Sequence, residues 1–118
     1  MTVSDSRAPL VIVGDSLLDV DLDGTSDRLC PDAPVPVLDL RDQRLRPGGS
    51  GLAALLAARA GIPVRLITAL GCDEAADQLL ELLDGVDVLA QPLRGSTVTK
   101  TRIRLGSTPL VRVDSGTG

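Results

Sequence analysis

The sequence predicts an α/β fold in which helices cover a parallel β-sheet, and two features of the chain lead to this prediction. Short aliphatic runs at 10–13, 64–70 and 86–89 are typical of buried strands. Segments with leucine and alanine at helical spacing, 52–59 and 76–83, lie between these runs. Because parallel strands need a crossover connection, strands that alternate with helices indicate a parallel sheet.

The chain between the first strand and the first helix is predicted to be more exposed. Residues 15–32 are rich in Asp and Gly, which indicates mostly turn and surface. Prolines recur in 31–40, and because proline cannot donate to a strand ladder, this segment is predicted to be an edge strand. The charged segment 39–47 is expected to pair back as a second exposed strand.

A hairpin is predicted near the end of the sequence, with strands at 97–105 and 110–113 around a Gly-Ser pair. By the two-residue period of a strand, Lys100, Arg102 and Arg104 share one face. These side chains suit a phosphate group, which Arg can bind with two parallel hydrogen bonds. They suit equally well the protection of an exposed strand against pairing with another molecule, so both interpretations stay open.

Two carboxylates follow the first strand. Asp15 and Asp19 are predicted to lie just past its C-terminal end, where ligands of open α/β sheets collect. A carboxylate there can accept hydrogen bonds from the hydroxyl groups of a ligand. The alternative is that both residues cap a turn.

Gly48 and Gly49 precede a helix and form a second candidate site. The Gly-Gly-Ser-Gly sequence predicts a sharp loop whose backbone N–H groups suit an anion or a closely packed hydroxyl, and a plain turn is the alternative. The sequence is not a P-loop, because the Lys-Ser/Thr pair of that motif is missing. A dinucleotide-binding unit is also disfavoured, because the first strand leads into Gly14-Asp15-Ser16 and not into a glycine triplet. Asp73 and Glu74 are interpreted as the start of a helix rather than as a ligand contact.

The amino-acid composition argues against several classes of function. The chain has no aromatic residue and no His, so acid–base chemistry would fall to Asp, Glu, Lys or Cys. The formal net charge of −4 argues against nonspecific nucleic-acid binding. Residues 1–10 lack the apolar core of a signal peptide, and no apolar run approaches the roughly 20 residues that span a bilayer. Cys30 and Cys72 have no metal-ligand spacing, so we expect reduced thiols in a soluble cytoplasmic protein without a membrane partner.

Several short motifs occur in order along the chain: Gly-Asp-Ser-Leu-Leu-Asp at 14–19, Arg-Leu-Cys-Pro-Asp-Ala-Pro-Val-Pro-Val-Leu at 28–38, Gly-Gly at 48–49, Gly-Cys-Asp-Glu-Ala at 71–75, Thr-Val-Thr-Lys-Thr-Arg at 97–102 and Arg-Val-Asp at 112–114. Together they resemble the N-terminal part of a PfkB/ribokinase-type sugar kinase, most closely the heptose 7-phosphate kinases. The proline-rich run that ends at Leu38 is the most specific of these motifs.

The resemblance implies a fold and an activity. The fold is ribokinase-like, a parallel sheet covered by helices, and residues 1–118 would form part of one domain. A small β lid over the sugar site would be built from strands near 34–46 and 97–113, and in this family the lid often mediates dimer contacts. The activity is transfer of the ATP γ-phosphoryl group to a sugar hydroxyl with Mg²⁺. For the heptose branch, the acceptor is the anomeric hydroxyl of a heptose 7-phosphate.

The resemblance also assigns seven residues to the sugar site: Asp15 and Asp19 for hydroxyl groups, Gly48 and Gly49 for close approach of the backbone, and Lys100, Arg102 and Arg104 for the sugar phosphate.

Two departures from the family pattern bear on activity. Leu52 and Leu56 stand where the family has Asn, and the C-terminal Gly-Ala-Gly-Asp motif that supplies the general base is absent from the sequence. We therefore expect the chain alone to be inactive and to bind neither ATP nor Mg²⁺ tightly. Its expected partners are a sugar or sugar phosphate, a second copy bound through the lid, or a completing C-terminal half. The alternative is a non-catalytic sugar-binding or dimerisation module derived from the same family.

Overall fold

The computed structural model describes residues 8–29, 31, 32 and 34–117. The expectations placed on residues 1–7 and on Cys30 lie outside the described residues. The elements in chain order are β1 (Leu10–Val13), β2 (Ser16–Thr25), β3 (Asp39–Gly49), α1 (Ser50–Arg59), β4 (Val64–Leu70), α2 (Glu74–Leu82), β5 (Asp87–Pro92), β6 (Thr99–Leu105) and β7 (Thr108–Ser115).

The first sheet is parallel and has the strand order β1-β4-β5, which confirms the predicted α/β arrangement. Helices α1 and α2 pack on one of its faces through an aliphatic core, which consists of Ala54, Leu55, Val64, Leu66, Leu70, Ala76, Leu79 and Leu83. Within the described ranges, neither helix is long and apolar enough to cross a membrane.

The other face of the first sheet is uncovered. Val11, Val13 and Leu89 lie on it and are 51%, 71% and 43% exposed. β1 is therefore a strand, as predicted, but the expectation that it is buried is wrong. Because parallel sheets are normally covered on both faces, this face is an exposed surface without a covering layer in the described part of the chain, apolar apart from the Arg65–Asp87 ion pair.

The second sheet has the order β3-β2-β6-β7, with β2 antiparallel to β3 and parallel to β6. The expectation that 15–32 is mostly turn is wrong, because Ser16–Thr25 forms the ten-residue inner strand β2. The predicted C-terminal hairpin is confirmed as β6 and β7, with a register shift between Ile103 and Arg104. The chain passes between the two sheets three times, from β1 to β2, from β3 through α1 to β4, and from β5 to β6.

The predicted edge strand at 31–40 is also wrong. Residues 34–38 belong to no strand, apart from an isolated bridge between Leu29 and Pro36. The strand begins at Asp39, beyond the prolines, and pairs with β2 along its whole length. Proline lacks the N–H that a ladder requires, so the proline-rich segment approaches β3 without joining the sheet.

β3 runs into α1 without the loop expected at 48–51. Gly49 makes the corner with φ 61°, a left-handed conformation that glycine adopts at no steric cost. A Cβ atom at this position would lie 2.5 Å from the carbonyl oxygen of Asp15. The corner therefore brings the start of α1 against the turn between β1 and β2.

Candidate functional site

The strand register divides the second sheet into two unlike surfaces, because residues paired across strands point to the same side. One surface, the charged face, consists of Asp19, Asp21 and Asp23 of β2, Asp42, Arg44 and Arg46 of β3, Lys100, Arg102 and Arg104 of β6, and Arg112 and Asp114 of β7. The acidic strand β2 thus lies between two strands that carry basic residues.

The basic residues of β6 do not protect a sheet edge. β6 lies between β2 and β7, so its backbone N–H and C=O groups are paired on both sides. Of the two interpretations of Lys100, Arg102 and Arg104, protection of an exposed strand therefore does not fit. The interpretation that remains is that these side chains, which lie in the middle of a sheet, bind a phosphate group, and it stays a prediction.

Asp19 and Arg102 form the closest ion pair between β2 and β6. Arg102 Nη1 donates to Asp19 Oδ1 at 2.7 Å, and the side chains are 34% and 19% exposed. The hydrogen bond to Asp19 raises the pKa of Arg102, which keeps its charge fixed. Asp19 lies inside a strand, so the alternative that it caps a turn is wrong. Gly48 adjoins the same carboxylate, since a Cβ there would lie 2.6 Å from Asp19 Oδ2.

Asp21 and Arg46 form a second ion pair, which the sequence analysis missed. Arg46 Nη2 donates to Asp21 Oδ2 at 2.6 Å, while the Asp21 side chain is only 7% exposed. Its other oxygen, Oδ1, is buried and has no hydrogen-bond partner among the described residues. The alternation of Asp with Leu or Val along 18–23 was the available signal, because it is the pattern of a half-buried strand with an acidic face.

A cavity of about 210 Å³ opens where the charged face meets the first sheet. Asp15 and Lys100 line it together with Ser16, Leu17, Ala69, Leu93 and Val98. Ligand pockets usually measure about 300–1,000 Å³, so this one suits only one part of a ligand. Lys100 is also the direct register partner of Asp19, so Asp19 lies next to a residue that lines the cavity.

The structure thus brings five of the seven predicted residues into one region: Asp15, Asp19, Gly48, Lys100 and Arg102. Gly49 lies at the corner behind Asp15. Arg104 lies farther along β6, where it lines a groove of about 360 Å³ with Arg102 and Arg112. Arg112 is therefore a basic neighbour of the predicted set that the sequence analysis did not assign to the site.

Asp73 is a helix cap, which confirms its interpretation as a helix start. One carboxylate oxygen accepts the N–H of Ala76 at 2.9 Å, and the other accepts the N–H of Thr97 at 2.8 Å. The Thr97 backbone hydrogen bond, followed by the Thr97 hydroxyl and the Ala76 N–H, lowers the pKa of Asp73 below the ordinary 3.8. Asp73 therefore joins the start of α2 to the segment that leads into β6.

Leu52 and Leu56 lie exposed on α1, at 42% and 56%. Neither offers a hydrogen bond, so any ligand at the start of α1 would depend on other residues for polar contacts. In the described ranges, no group of three or more Asp, Glu or Cys side chains could hold a metal ion.

Comparison with known proteins links this geometry to one family. The family model described as pfkB family carbohydrate kinase matches residues 8–108. A protein described as bifunctional protein HldE from Streptomyces coelicolor is 51% identical over 119 residues, which cover 100% of this chain and 26% of that protein. The corresponding HldE of Azorhizobium caulinodans is 37% identical and covers 98% of this chain and 25% of its own length. The chain thus spans about a quarter of these curated relatives.

Solved structures agree on the fold. A carbohydrate kinase from Agrobacterium tumefaciens superposes with a TM-score of 0.74 at 19% identity, over 92% of this chain and 36% of that one. The ribokinase of Arabidopsis thaliana in complex with ribose and ATP gives a TM-score of 0.68 at 17% identity, over 91% and 35%. The chain therefore has part of a ribokinase-like fold, as the sequence predicted.

Proposed function

Because the chain belongs to the pfkB family of carbohydrate kinases, we propose that its charged face is the sugar-binding part of a kinase for a heptose phosphate-like sugar. The observation that carries this proposal is the Asp19–Arg102 pair beside Lys100. A carboxylate accepts hydrogen bonds from sugar hydroxyls, and a guanidinium donates to phosphate oxygens. A phosphorylated polyol needs both kinds of group side by side.

In this proposal, different residues bind different parts of the ligand. Asp15 and Lys100 hold the end of the sugar that enters the small cavity, and Asp19, the register partner of Lys100, accepts hydroxyl groups next to it. Arg102 keeps its hydrogen bond to Asp19 through Nη1 and binds the phosphate with its other N–H groups, with Arg104 beyond it. Gly48 keeps space beside Asp19 because it has no side chain. The pair is held together before the ligand arrives, so little ordering remains to be done on binding.

Phosphoryl transfer is not proposed for this chain alone. Transfer depends on positioned groups that stabilise the transferring phosphoryl, and the family's Gly-Ala-Gly-Asp motif is absent from the sequence. In this proposal, the complete kinase uses ATP and Mg²⁺ and acts in the cytoplasm. We expect purified chain to bind the sugar phosphate without ATP-dependent turnover. Product formation above background by the purified chain would contradict this part of the proposal.

Calorimetry with a heptose 7-phosphate tests the binding role. Asp19→Ala removes the hydroxyl acceptor and leaves Arg102 without its partner, so affinity should fall about tenfold or more. Asp84→Asn is the matched control, because this exposed carboxylate lies outside the charged face and its loss should leave affinity unchanged. Equal affinities for the wild type and Asp19→Ala would refute the assignment.

We further propose that a second copy of the chain binds to the opposite surface of the second sheet. This apolar face carries Val20 and Leu22 of β2, Leu40 and Leu45 of β3, Ile103 of β6, and Val111 and Val113 of β7. Leu40, Val111 and Val113 are half exposed, and uncharged aliphatic surfaces are self-complementary in a two-fold dimer. Sedimentation should give a dimer that Val113→Glu dissociates and Leu89→Glu, on the first sheet, does not. A monomeric wild type would exclude this interface.

The remaining polypeptide of the relatives is the proposed occupant of the uncovered face of the first sheet. The chain matches about a quarter of the HldE proteins, and a parallel sheet requires a second covering layer. Val11 and Val13 would then be buried under that layer. Co-expression with the remaining part of such a kinase should protect this face from hydrogen exchange, and unchanged exchange would reject the proposal.

A non-catalytic module is the second candidate, and Leu52 and Leu56 favour it. Both stand where the family has Asn, and in this chain their side chains are exposed without polar groups. Dimerisation without measurable binding of any sugar phosphate would select this function over the first.

A further inference from the structure

Three hydroxyl groups form a continuous chain of hydrogen bonds behind the candidate site. Thr68 Oγ1 donates to Ser16 Oγ at 2.9 Å, and Ser16 Oγ lies 2.9 Å from Ser50 Oγ. Ser50 Oγ donates to the carbonyl oxygen of Asp15 at 2.8 Å. Because the single proton of Ser50 is used there, Ser16 must be the donor to Ser50, and all three bonds run in one direction.

Ser16 and Thr68 of this hydroxyl chain are buried, Ser50 is partly exposed, and the three residues belong to separate elements. Ser16 and Thr68 are only 6% and 3% exposed, so a lost partner would leave a polar group without compensation from water. Thr68 belongs to β4, Ser16 to β2 and Ser50 to α1. The bonds therefore connect the first sheet, the second sheet and the first helix at a single point.

The end of the hydroxyl chain fixes one backbone oxygen. The Asp15 carbonyl accepts from Ser50 Oγ and also from the Ser50 backbone N–H at 2.9 Å. Gly49 passes so close that a Cβ on it would lie 2.5 Å from the same oxygen. The two bonds therefore hold the glycine corner against the turn that carries Asp15.

We propose that Thr68, Ser16 and Ser50 are positioning residues, which hold Asp15 and the Gly48–Gly49 corner in the geometry that binds the sugar phosphate. This inference rests on the proposed function for its ligand, but the positioning itself has a readout without ligand. Removal of the Thr68 hydroxyl frees Ser16 to rotate, which weakens the hold of Ser50 on Asp15. The corner then samples other positions, and Asp15 no longer meets the ligand in a fixed place.

Thr68→Val tests this inference because valine keeps the shape of threonine and removes only the donor. Hydrogen exchange of the Ser50 amide, measured by NMR, should become about tenfold faster, because its hydrogen bond to the Asp15 carbonyl oxygen is weakened. Calorimetric affinity for a heptose 7-phosphate should fall by a similar factor. Thr68→Ser keeps the hydroxyl and should restore both values. Thr101→Val, on the apolar face, is the matched control and should change neither.

Unchanged Ser50 exchange in Thr68→Val would overturn the inference, as would a failure of Thr68→Ser to restore it. Faster exchange with unchanged affinity, in a chain that binds, would also overturn it. If Thr68→Val does not fold, Ser50→Ala replaces it, and the same loss of protection at residue 50 is expected. A wild type that binds no sugar phosphate would defeat the proposed function, whereas the exchange measurement would still decide the positioning role.

Discussion

Asp19 Oδ1 and Arg102 Nη1 lie 2.7 Å apart, although the strand register places Lys100, not Arg102, directly opposite Asp19. The ion pair is therefore diagonal between β2 and β6. It leaves the Lys100 side chain to line the cavity beside Asp15. This arrangement separates two cations that would otherwise compete for one carboxylate.

The diagonal pair predicts energetic coupling between the two strands. Asp19→Asn and Arg102→Gln should each lower the free energy of unfolding by about 1 kcal/mol, the net value of a partly exposed charged hydrogen bond. The double variant should lose clearly less than the sum of the two, because the second change removes a partner that is already gone. Urea denaturation of the four proteins measures this coupling, and strictly additive losses would show that the pair does not stabilise the sheet.

The Asp21–Arg46 pair predicts a contrast between two arginines on the same strand. Arg46→Ala leaves the buried Asp21 carboxylate without its cation, which should cost about 1–3 kcal/mol of unfolding free energy. Arg44→Ala removes the residue directly opposite Asp21, but Arg44 pairs with the exposed Asp42, so its loss should stay within about 0.5 kcal/mol. Thermal or urea unfolding compares the two variants. Equal effects would mean that cross-strand position, not the observed ion pair, sets the stability.

The close packing around Gly48 predicts a clash at the site when a side chain is added there. In Gly48→Ala the new methyl would meet Leu17 Cδ1 at 2.5 Å and Asp19 Oδ2 at 2.6 Å, so stability should fall by about 1–3 kcal/mol and sugar-phosphate affinity should fall with it. Gly85→Ala is the control, because φ there is 86° and no atom lies within 4 Å of the added Cβ. This control should lose stability through backbone strain while it keeps affinity. Retained affinity in Gly48→Ala would show that the Asp19 carboxylate can move without consequence.

Asp73 predicts a specific loss of stability in acid. Its pKa is lowered below 3.8 in the folded chain, chiefly by the Thr97 backbone hydrogen bond, so its contribution is complete above the unfolded value and is lost as pH falls through the folded one. At pH 7, Asp73→Ala should cost about 1 kcal/mol, a typical value for a helix cap. The difference from the wild type should shrink below about pH 3.8.

The control is Asp77→Ala, which removes another carboxylate from the first turn of α2. Its effect at pH 7 should be smaller than that of Asp73→Ala. An Asp73→Ala difference that stays constant from pH 7 to pH 2.5 would contradict the account of this cap.

The sequence allowed the parallel sheet to be predicted because its strands and helices carry clear periods. Val64–Leu70 alternates buried and exposed positions, and Gly71 and Asp73 mark its end and the next helix start. β2 was missed because Asp stands at three alternate positions of one face, Asp19, Asp21 and Asp23, and by composition alone such a segment resembles a turn. The alternation with Leu18 and Val20 was the signal for a strand, but that pattern competes with the turn preference of Asp and Gly.

Strand and helix ends made Asp15, Asp19 and Gly48 candidates, and the period of β6 made Lys100 and Arg102 candidates. The resemblance to the kinase family was what joined these five residues in one predicted site. The ion pairs themselves were not predictable, since they depend on the register between β2, β3 and β6. The Asp19–Arg102 ion pair, for example, joins residues 83 positions apart in the chain.

NMR titration of isotope-labelled chain with a heptose 7-phosphate tests the central claim most directly. The account predicts that the largest amide shifts cluster at Asp15, Asp19, Gly48, Lys100 and Arg102. The same titration with the unphosphorylated heptose should shift the signals of Asp15 and Asp19 but leave those of Arg102 and Arg104 nearly unchanged. Shifts confined to α2 and β5, or no shifts at saturating sugar phosphate, would contradict the claim that the charged face binds this ligand.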